Sequence, residues 1–215
     1  MTIRQPLPHW QTSGISNSNR GIDKKMNKRN ILALAIIAFM CALIVGGTSA
    51  YFTFSDRAHN IITTSGIAIE LIEDTNKVGV DGRAIPFTNV TDAMPGDVIS
   101  KIPKVKNIDD GDAYIRMRVI ANVNYPDGKS NRISPDMFDL DVDATNWQSS
   151  NGYYYYNQEL SKNQIAAPLF TTVTIPDSLS DQYQGATFSL DVYAEAVQVA
   201  NNGSNVMEAK GWPEE

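Results

Sequence analysis

The chain has 215 residues, a net charge of −6 and a single cysteine. An acidic surface disfavours binding to nucleic acid and to anionic lipid, because both are themselves negatively charged. Residues 51–215 are more acidic than the whole, with 12 Lys or Arg against 23 Asp or Glu, a net of −11, and they contain no cysteine. This part is long enough to bury one hydrophobic core, and it must fold without disulfides.

The first 25 residues are polar and show no hydrophobic periodicity. Two interpretations stay open for residues 1–25. They form a cytoplasmic tail, or the translation start has been placed too early, because the sequence from Met26 is by itself a normal signal.

An uncharged apolar run over residues 31–47 follows a cluster of Lys and Arg, which is the arrangement of a secretory signal. Thr48 and Ala50 then place small residues at positions −3 and −1, so we predict a signal peptide over 26–50, cut before Tyr51. The run also reaches the lower limit of about 17 residues for a membrane-spanning helix. A retained anchor is therefore the alternative, and the membrane is expected to be contacted only through this segment.

Apolar and polar residues alternate through most of residues 51–215, which is the period of a half-buried β-strand. Turn sequences such as "MPGD" and "YPDGK" separate the strands. Many short strands at this length predict an all-β domain, an antiparallel β-sandwich of jelly-roll or Ig-like topology. The predicted core faces are Ile67, Ile69 and Leu71; Ile115, Met117, Val119 and Ala121; and Phe188, Leu190, Val192, Ala194 and Ala196.

The signal junction is followed by a "PGD" turn that is paired with a downstream "AYIRMRV" strand. With these as their most specific parts, several stretches together resemble bacterial exported proteins with SipW-dependent signals, the group of TasA-like matrix proteins and camelysin-like proteins. The resemblance implies a dedicated type I signal peptidase and a jelly-roll fold. For TasA-like members it also implies fibres in the extracellular matrix or at the cell surface of a Gram-positive bacterium, built from copies of the chain or with a related matrix subunit.

The segment Tyr51, Phe52, Thr53 and Phe54 is a candidate donor strand. Its two phenylalanines face one way, and the segment becomes a free chain end only after the predicted cut. A free strand can add to the open sheet edge of a neighbour, and head-to-tail addition gives filaments. The alternative is that this segment is the first strand of its own sheet.

An enzymatic function finds little support in the residues. Camelysin-like relatives are classed as metallopeptidases, but His59 is the only histidine after residue 50 and no "HExxH" motif exists. His59 is therefore a weak zinc candidate. We favour a protein that is not an enzyme and has no cofactor, with a cell-surface metalloendopeptidase as the alternative.

Calcium is a more plausible metal than zinc. Asp139, Asp141 and Asp143 have the opening spacing of an EF-hand, but Ala144 replaces the required glycine and Ser150 the required glutamate. On a strand the three carboxylates would share one face and could recruit a weakly bound cation with Asp109, Asp110 or Asp112. A solvated acidic face is the simpler interpretation.

An aromatic cluster gives a third functional hypothesis. Trp147 and the run Tyr153, Tyr154, Tyr155 and Tyr156 surround a predicted turn. One pair of tyrosines is expected to face the core. The other pair could form an exposed surface for glycan, as in an adhesin, or for contact between subunits.

Overall fold

Alternating apolar and polar residues form β-strands throughout the part of the chain that a computed structural model describes, residues 52–55, 58–60, 67–179 and 181–213. The predicted all-β class is confirmed. The predicted signal helix over 26–50 lies outside the described residues. The strands are β1 Phe52–Ser55, β2 Ala58–Asn60, β3 Ile69–Val78, β4 Ala84–Pro86, β5 Val90–Ala93, β6 Val98–Ser100, β7 Ile102–Asn107, β8 Ala113–Asn124, β9 Ser130–Ile133, β10 Asp139–Leu140, β11 Trp147–Ser150, β12 Tyr153–Tyr156, β13 Thr172–Thr174 and β14 Thr187–Gln198.

The largest sheet has the strand order β11-β12-β8-β14-β1-β5, with β2 also paired to β14 and β9 to β8. Its centre is the antiparallel pair β8 and β14, which stay in register over twelve residues each. Both strands carry long apolar alternations, which is why they pair over their whole length.

Two smaller sheets have the orders β10-β13-β6 and β4-β3-β7, and both are antiparallel. The large sheet differs from the prediction because it is mixed. Strands β1 and β2 run parallel to β14. Parallel neighbours need a long connection, and more than a hundred residues separate β1 from β14 along the chain.

A single hydrophobic cluster unites residues from all three sheets. The predicted faces of β3, β8 and β14 all belong to it, so the alternation identified them correctly. Its largest fully buried apolar side chains are Trp147, Phe52, Phe54, Phe170, Phe188, Ile115, Met117, Leu169, Ile175 and Leu190.

Two turns behave as their residues predict. In "MPGD" the Asp97 N–H donates to the Met94 carbonyl at 3.1 Å, and Gly96 adopts a φ of 85°, as the third residue of a type II turn must. Between β11 and β12, Asn151 and Gly152 have φ values of 52° and 78°. Positive φ values at both central residues are typical of the two-residue turn that forms a tight hairpin.

Candidate assembly site at the first strand

The candidate donor strand forms β1 and lies between two other strands of the large sheet. Three consecutive residues from Thr53 pair in parallel with β14, while Phe52 and Phe54 pair antiparallel with β5. The Thr53 N–H donates to the Ala186 carbonyl at 3.2 Å. Because β5 ends the strand order, β1 is the second strand from this edge of the sheet.

Both phenylalanines of β1 are buried, each with 1% of its surface exposed. The Phe52 ring meets Phe188 edge to face, with the ring centroids 5.4 Å apart. The Phe54 ring makes similar edge contacts with Phe138 at 5.8 Å and with Phe87 at 6.3 Å. Burying each ring contributes about 2 kcal/mol, before the cost of ordering the strand.

The chain's own strand therefore fills this site, as the alternative interpretation of β1 expects. Exchange of β1 between copies would fill the same site with the same residues, so the donor-strand hypothesis stays a prediction. Its cleavage-site residues Thr48, Ala50 and Tyr51 lie outside the described residues.

The zinc candidate His59 lies on β2, where its backbone is in register with Tyr193 of β14. Of the acidic residues near it in sequence, Glu73 forms a buried ion pair with Lys101, with 2.6 Å between the Lys101 Nζ and the Glu73 Oε1. The Lys101 Nζ also lies 4.6 Å from the centre of the Phe87 ring. Glu73 of β3 thus has a structural partner in Lys101, the residue that lies between β6 and β7 in the chain.

The calcium candidates Asp141 and Asp143 both accept hydrogen bonds from other residues of the chain. Asp141 accepts from the Thr171 N–H at 2.8 Å and the Thr172 N–H at 2.6 Å. Asp143 accepts from the Asn146 side chain at 2.7 Å. That bond and those from the Asn146 and Thr145 N–H groups lower the pKa of Asp143.

The predicted acidic strand face is wrong beyond Leu140, because β10 contains only Asp139 and Leu140. Asp143 instead accepts hydrogen bonds from its own loop, which compete with strand pairing, as is common for this residue type. Asp141 accepts hydrogen bonds from Thr171 and Thr172, at the start of β13.

The second group of aspartates lies in the loop before β8. The Gly111 N–H donates to Asp109 at 3.2 Å and lowers its pKa, while Asp110 forms an exposed ion pair with Lys162. Asp112 accepts a backbone hydrogen bond from the Val199 N–H at 3.0 Å. Among the described residues, no three His, Cys, Asp or Glu side chains are grouped to hold a metal ion. Calcium binding stays a prediction.

The aromatic cluster forms the β11–β12 hairpin and is divided between two faces. On the core side Trp147 and Tyr156 are buried, with ring centroids 5.0 Å apart, and Tyr154 packs beside them. Burial, helped by the charge of Asp136, raises the pKa of Tyr154. Trp147 and Tyr156 therefore do not contribute to an exposed aromatic surface.

The other two tyrosines lie on the outer face and are half-buried. The Tyr155 ring meets Trp212 edge to face at 5.9 Å. The Arg116 guanidinium lies 3.9 Å from the centre of the Tyr153 ring and 4.7 Å from that of Trp212. The predicted aromatic platform is thus partly covered by the C-terminal segment.

Arg116 also forms an ion pair that was not predicted from the sequence. Its Nε and Nη2 atoms each lie 2.6 Å from Oε2 of Glu195, the residue opposite it on β14. Both side chains are almost completely buried. The signal was present in the sequence: opposite charges recur at the outward positions of two strands, and a tryptophan follows near the C-terminus.

Comparisons with known proteins find no match to this chain among protein-family models, curated proteins or solved structures. Its resemblance to the exported matrix and camelysin-like proteins therefore rests on the motifs alone. Among the described residues no helix is long and apolar enough to cross a membrane. The apolar run over 31–47 lies outside them.

Proposed function

We propose that the protein is a secreted structural subunit of extracellular fibres, assembled by exchange of β1 between copies after signal cleavage. The observation that carries the proposal is the first strand itself. It follows directly after a predicted cleavage site and inserts two phenylalanine rings, each 1% exposed, into the core. When one copy supplies this strand to another, the buried rings attach the two copies to each other strongly and specifically.

The site is also suited to exchange. Exchange of an identical element between copies creates no new contacts in the site, so its main cost is the entropy of bringing two chains together. A chain that gives its strand to one neighbour and receives one from another forms an open series. We further propose that the three sheets form a jelly-roll sandwich, with the β1 site one strand in from the edge of its largest sheet.

A pair of cysteines tests the exchange directly. Thr53 of β1 lies opposite Thr187 of β14, and the segment from residue 51 has no cysteine of its own. Neighbouring strands bring such positions within the distance that a disulfide requires. The double variant Thr53→Cys and Thr187→Cys, starting at Tyr51, is oxidised either before or after concentration.

Oxidation before concentration is expected to lock β1 in its own chain and keep the protein monomeric. Oxidation after assembly is expected to give a ladder of covalent multimers on non-reducing gels, which collapses on reduction. Thr53→Cys alone is the matched control and should give no ladder beyond a dimer. If the double variant gives only monomers in both orders, the exchange proposal is wrong.

A further inference from the structure

A groove of about 340 Å³ lies beside the exit of β1. It is bounded by the end of β3, the segment before β5, and β6, which is the end strand of its sheet. Its apolar lining comes from Phe87, Val90, Val98 and Ile99, and among the described residues its charged lining consists of Lys77 and Asp97.

Part of the apolar lining of this groove is exposed. Val98, which lines the groove, is 63% exposed, and Val78, which is 65% exposed, directly follows the lining residue Lys77. Exposed apolar surface at a groove on an otherwise strongly acidic chain is typical of an interaction surface.

We propose that this groove is the docking surface for the body of a second copy of the chain, the copy that supplies β1. This inference rests on the proposed strand exchange. The direction of β1 selects the groove: because β1 is antiparallel to β5, its C-terminal end lies beside Val90, and Val90 lines the groove.

The length of the connection requires close contact at this point. Only two residues separate Ser55, the end of β1, from Ala58, the start of β2. An extended chain spans about 3.3–3.6 Å per residue, so a donor's own β2 starts within about 11 Å of the acceptor's β1 site. The two bodies must therefore touch at the exit of β1.

The charges of the groove also suit a second copy. Residues 51–215 carry a net charge of −11, so two copies repel each other over most of their surfaces. One cation and one anion line the groove, which makes it locally neutral. Two acidic subunits can approach here with little repulsion and bury apolar surface.

The test introduces charge into the groove without touching β1. Val98→Asp is placed in the chain that carries Thr53→Cys and Thr187→Cys. The control is Ile108→Asp. Ile108 is also exposed, at 47%, but it directly follows β7, at the end of the β3–β7 ladder that lies away from the groove. Denaturant unfolding of the monomers, locked by oxidation before concentration, establishes that both variants fold.

We expect Val98→Asp to raise the concentration needed for the covalent ladder by about tenfold or more, which corresponds to about 1.4 kcal/mol per contact, while Ile108→Asp leaves it unchanged. A ladder at the same concentration in both variants overturns the groove proposal and leaves strand exchange intact. If the parent chain gives no ladder at all, both proposals fail. A Val98→Asp chain that does not fold is replaced by Thr88→Asp, at an exposed residue that also lines the groove, and the same outcomes apply.

Discussion

The two edges of β14 are held in different ways. On one edge, β8 pairs with it over twelve consecutive residues. On the other, β1 contributes only three register pairs and β2 another three. Yet the two phenylalanines of β1 are as deeply buried as the inward side chains of β8.

Backbone pairing and side-chain burial thus contribute differently to the attachment of β8 and of β1. Strand β8 is part of a continuous ladder and cannot leave without dismantling the sheet. Strand β1 depends mainly on two rings that enter the core, and few backbone bonds must break to release it. A strand attached by side chains in defined positions is well suited to exchange between copies.

The largest effect is expected from removing one of these rings. Phe54→Ala should lower the free energy of unfolding by about 3–5 kcal/mol, because it deletes the edge contacts with Phe87 and Phe138 and leaves a cavity. Urea unfolding measures the loss. Thr53→Ala on the opposite face is the control, expected within about 1 kcal/mol of the parent. Equal losses in the two variants would mean that the rings do not hold β1.

A second test addresses the β8 edge. Arg116→Met should cost about 3 kcal/mol, because it leaves the Glu195 carboxylate, only 3% exposed, without its cation. Adding Glu195→Leu removes the stranded charge and should recover most of the loss. Unfolding curves of the single and double variants measure both the loss and its recovery. A double variant no more stable than Arg116→Met would show that packing against Tyr153 and Trp212, and not charge, is the main contribution.

A smaller effect is expected at the hairpin that extends the β8 edge. Gly152→Ala should cost about 1–2 kcal/mol, because alanine is strained at a φ of 78°. A Cβ at this position meets no atom within 4 Å, so the cost is conformational and not steric. The control Ser150→Ala lies in β11 just before the turn and should change thermal stability little. A Gly152→Ala midpoint equal to that of the control would contradict the assigned turn.

The smallest effect is expected at Asp143, and it depends on pH: it is present at neutral pH and is lost in acid. Hydrogen bonds from Asn146 and Thr145 lower the pKa of Asp143 below 3.8 in the folded chain. Its contribution to stability is therefore complete above about pH 4 and is lost as the pH falls through the lowered pKa. Asp143→Asn should flatten the fall of the thermal midpoint between pH 5 and pH 2. An unchanged slope would show that Asp143 makes no such contribution.

Local periodicity predicted the inward faces well, because alternation depends only on neighbouring residues. Phe52 and Phe54 were expected to share a face, and both are buried. The partners of β1 could not be predicted, since pairing with a strand more than a hundred residues away leaves no local pattern. Its parallel orientation to β14 was missed for the same reason.

The outer face of β8 illustrates a second limit. Tyr114 and Arg116 alternate with the core residues, at positions that a half-buried strand leaves outside the core, yet they are only 3% and 8% exposed. A second hydrophobic cluster covers this face, in which Trp212 packs near Tyr114 and Val197. A strand face that is covered by a distant, irregular segment leaves no periodic pattern in the sequence, so its burial could not be predicted. The prediction of one acidic strand face before β11 failed for another reason: the strand ends at Leu140, and Asp141 and Asp143 accept hydrogen bonds from backbone N–H groups.

The placement of β1 has a mechanical consequence. In a fibre joined through this strand, tension acts along the strand axis, while its hydrogen bonds to β14 and β5 lie across that axis. Pulling therefore loads the bonds on both edges together, in shear, and must withdraw both phenylalanine rings from the core. A joint held by only a few backbone bonds would in this geometry resist stretching far better than peeling.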